Sequence, residues 1–130
     1  MHATISTTRK TTRRDRAEQI VHRAVIDRLW WRGVPGLFWF HPANGGARSP
    51  TEAAILRGLG VIAGVPDLII INGGQVYALE IKSENGRVSV AQRECQARMR
   101  EAGAVVATVY GIDEAVEYLE AWGLLRGVRA

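Results

Sequence analysis

One stretch, Pro66 to Lys82 (PDLIIINGGQVYALEIK), constrains the fold more than any other. An acid opens the aliphatic run Asp67 to Ile71, Asn72-Gly73-Gly74 interrupts it, and a second apolar run from Gln75 ends in Glu80-Ile81-Lys82. The two glycines supply the positive φ values of a hairpin turn, so the spacing predicts antiparallel strands over 67–71 and 75–82. Side chains alternate across a strand, which puts Glu80 and Lys82 on one face about 7 Å apart and Tyr77, Leu79 and Ile81 on the other. The hairpin also returns the start of its first strand to the end of its second. Asp67 therefore meets Glu80 and Lys82 at one end of the sheet.

The remaining elements follow from periodicity and punctuation. Ile20, Val21, Ala24, Val25 and Leu29 recur at helical spacing, predicting a helix from Asp15 to about Arg32, stopped by Gly33 and Pro35. Leu37 to Phe40 is a short aromatic run, expected to be a buried strand with Trp39 in the core. Trp30 and Trp31 are neighbours on one helix and cannot both face that core, so one of them is a candidate subunit contact. After the polar loop Asn44 to Arg48, Ser49-Pro50-Thr51-Glu52 combines a cap, a first-turn proline and an acid, predicting a helix to about Arg57. A helix capped by Ser89 runs to Ala102 with the apolar edge Ala91, Cys95, Met99 and Ala102. A strand over 104–110 and a helix over 113–122 complete the order. A hairpin followed by a crossover helix and another strand implies an α/β fold, a mixed sheet flanked by helices.

With 130 residues, 47% of them apolar, the chain suffices for one core. The expected division is a flexible basic arm over 1–14, a single domain over 15–124 and a tail over 125–130. The arm holds Arg9, Lys10, Arg13 and Arg14 in a chain of net charge +4. It reads either as a segment that tracks a phosphate backbone or as a solvated tail. Cys95 is the single cysteine, which excludes an internal disulfide and suits a reducing compartment. No apolar run is long enough to span a bilayer and no secretion signal opens the chain, so a soluble cytoplasmic protein is expected.

Two carboxylates at the rim of an apolar layer repel one another and are costly to desolvate unless a cation lies between them. A hard dication such as Mg²⁺ meets that need and leaves positions open for a phosphate oxygen, and Lys82 is placed to stabilise charge developing at phosphorus. The competing reading makes Glu80 and Lys82 an exposed ion pair and Asp67 a turn residue after Pro66. Spacing alone leaves both open.

Pro66-Asp67 followed one hairpin later by Glu80-Ile81-Lys82 resembles the PD-(D/E)XK nuclease superfamily. Gly64-Val65-Pro66-Asp67-Leu68, Leu79 to Lys82, Ser89-Val90-Ala91-Gln92 and Ala102-Gly103 narrow the likeness to its VRR-NUC branch, from about Glu18 to Glu114. The resemblance implies a restriction-endonuclease-like fold with Asp67, Glu80 and the Ile81 carbonyl as metal ligands, Lys82 as the catalytic lysine, Glu18 approaching from the first helix and Gln92 over the site. Glu18 and Gln92 each have a second reading, as helix-capping residues in Asp15-x-x-Glu18 and Ser89-x-x-Gln92. Asn44 falls in the family's polar loop, and Arg48 beside it is a candidate phosphate contact or a solvated loop cation. His22 departs from the family pattern, in which glutamine is frequent. His41 is open between surface histidine and phosphate contact. The implied activity is Mg²⁺-dependent hydrolysis of DNA phosphodiesters, with Mn²⁺ as a substitute metal, by a small bacterial or phage-encoded enzyme. A homodimer acting on branched DNA, in the manner of a junction resolvase, is the specific expectation. A nuclease of flaps, nicks or ends and a catalytically vestigial DNA-binding module are the alternatives.

Overall fold

A computed structural model describes residues 12–43 and 49–127. The elements are α1 (Arg13–Arg32), β1 (Phe38–Phe40), α2 (Pro50–Gly58), β2 (Leu68–Asn72), β3 (Gln75–Lys82), α3 (Val90–Glu101), β4 (Val105–Tyr110) and α4 (Ile112–Ala121). The sheet order is β1-β2-β3-β4, with β1 and β3 antiparallel to β2 and β4 parallel to β3. This is the expected mixed sheet flanked by helices.

Alternation on the strands divides the apolar side chains between two layers. Leu68, Ile70, Leu79, Ile81 and Val109 pack with Val25 and Leu29 of α1 and with Ala115 and Leu119 of α4. On the opposite face Ile69, Ala78 and Val106 form a smaller cluster, flanked by Val65, Val76, Met99 and Ala104. Glu80 and Lys82 share the face of Ala78, the side on which α3 lies against β4. Trp39 and Trp122 flank the larger core.

Four expectations are corrected. α1 begins at Arg13 and not at Asp15, because Thr12 caps it: the Thr12 hydroxyl accepts from the Asp15 N–H and the Asp15 carboxylate accepts from the Thr12 N–H. Arg13 and Arg14 are therefore helical, not part of an arm, and Glu18 lies beyond the box that starts the helix. At the other end Leu125 is buried and pairs with Gly33, while the Arg126 N–H donates to the Arg32 carbonyl, so the packed domain continues past residue 124. β1 is an edge strand, with Phe38 60% and Phe40 43% exposed, since α3 covers the β4 side of that face and not the β1 side. Finally, the buried edge of α3 is Cys95 and Gln96, whereas Ala91 and Ala102 are exposed.

Gly64 fixes how the site is closed. Its φ is +80°, and a Cβ there would lie 2.4 Å from the carbonyl carbon and oxygen of Ala91 and 2.6 Å from the Gln92 nitrogen. The segment before β2 thus touches the backbone of the first turn of α3. Gly64→Ala is expected to cost about 2–4 kcal/mol, from an unfavourable left-handed conformation plus a backbone collision. Urea unfolding measures it, and an unchanged midpoint would contradict the contact.

Candidate active site

The β2–β3 register pairs Leu68 with Leu79, so the next step of the ladder sets Asp67 beside Glu80. The Asp67 carboxylate accepts the Ile81 N–H at 2.7 Å, which anchors it across the end of the hairpin. Glu80 and Lys82 are not an exposed pair: they are 2% and 7% exposed, with the Lys82 Nζ 3.6 Å from Glu80 Oε1. The Gln92 side chain joins both structures at once. Its Oε1 accepts from the Ser89 N–H at 2.9 Å, closing the capping box of α3, and its Nε2 donates to Glu80 Oε1 at 3.1 Å. The amide therefore couples the start of α3 to the carboxylate.

Among the described residues, Glu80 Oε2 is buried with no hydrogen-bond partner. Burial, and next the adjacent Asp67 charge, push the Glu80 carboxyl up to about 8, against the opposing pull of Lys82. A buried carboxylate with one unsatisfied oxygen beside a second carboxylate suits a cation that accepts oxygen ligands. Asp67, Glu80 and the main-chain carbonyl of Ile81 have the right donor chemistry for it.

Glu18 stands at the mouth of this site from the first turns of α1. Burial raises its carboxyl above the usual range, opposed by Lys82 and by the Ser83 N–H, on which it leans. Gly86 closes the same wall: a Cβ there would lie 3.0 Å from Lys82 Cβ and 3.2 Å from Glu18 Oε1. Gly86 escaped the sequence reading, although Asn85-Gly86 is a turn signal, and its N–H closes the turn onto the Ser83 carbonyl. Also missed was Gln96, buried on α3, whose Nε2 donates to the Thr108 hydroxyl; Thr108 is the residue of β4 paired with Glu80. Cys95 is buried nearby, and burial pushes its thiol up, consistent with a packing role. Of the candidate nucleic-acid contacts, Arg13 and Arg14 are exposed on the first turn of α1, whereas Lys10, Asn44 and Arg48 lie outside the described residues.

A second grouping shares Asp67. His22, His41 and Asp67 each offer a ligand atom within 4.8 Å of the others. The resemblance assigned neither histidine a role.

The sequence profile of the VRR-NUC domain matches residues 48–113, about half of the chain. The chain belongs to the VRR-NUC family. Two solved structures agree in fold. A VRR_NUC domain protein superposes with a TM-score of 0.61 at 23% identity, over 85% of this chain and 91% of the other. A VRR_NUC domain gives 0.55 at 21% identity, over 82% and 97%. No curated protein matches the chain. VRR-NUC domains are nucleases of the PD-(D/E)XK type, which act on DNA and use a divalent metal. Among the described residues of this VRR-NUC protein, no helix is long and apolar enough to cross a membrane.

Proposed function

We propose that this VRR-NUC protein is a Mg²⁺-dependent endodeoxyribonuclease, with Mn²⁺ able to substitute, in which Asp67, Glu80 and the Ile81 carbonyl hold the metal and Lys82 assists hydrolysis. The observation that carries this is Glu80 beside Asp67: its Oε2 is buried and unsatisfied among the described residues, while its Oε1 lies 3.6 Å from the Nζ of the buried Lys82. A bound Mg²⁺ supplies Lewis-acid polarisation of the phosphodiester and lowers the pKa of water. The chain's own groups do the rest. Lys82, held away from bulk water, stabilises negative charge developing on the phosphate oxygens. Gln92 orients Glu80 and closes the capping box of α3, so its loss loosens a ligand together with the start of that helix. Glu18, at the mouth, is placed to position the attacking water. Arg13 and Arg14, at the same end of α1, together with Lys10, Asn44 and Arg48, are assigned to the DNA backbone, where charge fixes register and not sequence.

Among the described residues no base-reading element is evident, so selectivity is assigned to DNA shape, and the substrate proposed is branched DNA bound by a homodimer. Exposed aromatic groups on both sides of the edge strand favour self-association: Trp30, 72% exposed, packs edge to face on Trp39 on one side, Phe38 and Phe40 are exposed on the other, and Trp31 is 79% exposed. Cleavage of four-way junction, flap, nicked and linear duplex DNA in Mg²⁺ tests the assignment, with mass measured by light scattering. Preferential junction cutting by a dimer is expected. Equal cutting of all four would remove the junction preference, and binding without cleavage in either metal would leave a vestigial DNA-binding module.

A further inference from the structure

We propose that His22, His41 and Asp67 form a second metal position, selective for a borderline first-row dication such as Zn²⁺ over Mg²⁺, with Asp67 common to it and to the oxygen-ligand site. Three separate elements converge there. His22 lies on α1, His41 follows β1, and Asp67 precedes β2, with their ligand atoms within 4.8 Å of one another. The two imidazoles meet edge to face, 4.6 Å between centroids and 80° between planes.

One hydrogen bond shows how the set is prepared. His41 Nδ1 contacts the main-chain carbonyl of Asp67. A carbonyl oxygen can only accept, so Nδ1 carries the proton, and in the neutral ring Nε2 is left with a free lone pair. Metal-bound histidines are commonly oriented in this way, by donating their other N–H to a carbonyl or carboxylate. His22 is half-buried on α1, with its ring edge to face against His41. Asp67 accepts the Ile81 N–H through Oδ2, a bond that does not engage Oδ1.

Two imidazoles and one carboxylate are a donor set for zinc with positions left for water or a phosphate oxygen, and a poor one for Mg²⁺. A tetrahedral zinc with bonds of about 2.1 Å holds its ligand atoms roughly 3.4 Å apart, so binding draws these side chains together. The oxygen-ligand position beyond Asp67 uses Glu80 and Ile81 instead. A dication at each would share the Asp67 carboxylate, the arrangement of paired-metal phosphodiester sites.

The proposal depends on the function above only through Asp67, and metal binding tests it without DNA. The full chain, stripped with chelator, is titrated with ZnCl₂ by calorimetry and followed through the ring ¹⁵N resonances of its histidines. The expected result is one tight zinc that moves His22 and His41 ring nitrogens, with His41 Nδ1 still protonated. His22→Ala and His41→Ala should each weaken it at least about 10-fold, the scale already set by loss of an outer partner. Glu80→Gln should keep it. The proposal is overturned if no zinc binds, if the ring resonances of both residues stay in place, or if Glu80→Gln abolishes binding and the histidine variants do not. In each of those cases Mg²⁺-dependent cleavage would continue, whereas failure of the nuclease assignment would abolish cleavage and leave zinc binding intact.

Discussion

Lys82→Ala is expected to lower the rate of Mg²⁺-dependent DNA cleavage by about 10²–10³-fold, the loss seen when one preorganised group that stabilises transition-state charge is removed. The size of the effect follows from burial. Lys82 is 7% exposed, pinned between Glu80 and the wall formed by Gly86, so its charge acts with little screening by water. The fold should survive, because Glu80 can retain a proton when the cation is gone. DNA affinity should change little, since the exposed arginines of α1 and the surrounding loops carry the proposed backbone contacts. Single-turnover cleavage with saturating enzyme separates the chemical step from binding. Lys82→Arg should restore little, because a planar guanidinium does not put its charge where the compact ammonium stands, 3.6 Å from Glu80 Oε1.

The second large effect concerns stability and pH in the absence of metal. Glu80 releases its proton near 4.5 in the unfolded chain but only near 8 when folded. The folded state thus holds the proton more tightly across that window. Stability is complete below the lower value, falls as pH rises between the two, and levels off above the upper. The loss is on the order of 5 kcal/mol, or roughly 15–20 °C in midpoint for a chain of this size. Glu80→Gln, which carries no ionisable group, should flatten this part of the profile. Added Mg²⁺ should restore the wild-type midpoint at pH 8, where the carboxylate is free to accept it, and should do nothing for Glu80→Gln. Thermal melts of both proteins from pH 4.5 to 8.5, with chelator or with Mg²⁺, give the comparison. Parallel profiles for the two proteins would show that Glu80 ionises unhindered.

The elements that were legible in the sequence are those set by local rules. Asn72-Gly73-Gly74 dictates the hairpin, the hairpin dictates that Asp67 returns beside Glu80, and Ser89-x-x-Gln92 marks the start of α3. Local rules also misled. Asp15-x-x-Glu18 and Thr12-x-x-Asp15 are both capping patterns, and only the tertiary path of the chain selects the earlier one. The aromatic run of β1 has the composition of an interior strand, yet its place at the sheet edge leaves Phe38 and Phe40 in solvent. Burial of Glu80 and Lys82 was equally invisible, because it depends on the turn through Gly86 and on α3 closing over the sheet against Gly64. The His22–His41 contact joins a helix to a strand end, and no spacing rule connects the two. Distant pairings of this kind come from packing, whereas the acid, acid and lysine set comes from strand register alone.

The central claim is that Asp67 and Glu80 together hold a dication beside Lys82. Anomalous diffraction from a crystal soaked in Mn²⁺ at pH 8 tests it most directly. The account predicts a manganese peak within bonding distance of both the Asp67 and Glu80 carboxylates, with the Lys82 ammonium turned toward the same pocket. Manganese density that leaves Glu80 untouched, with Oε2 still unpartnered, would contradict it.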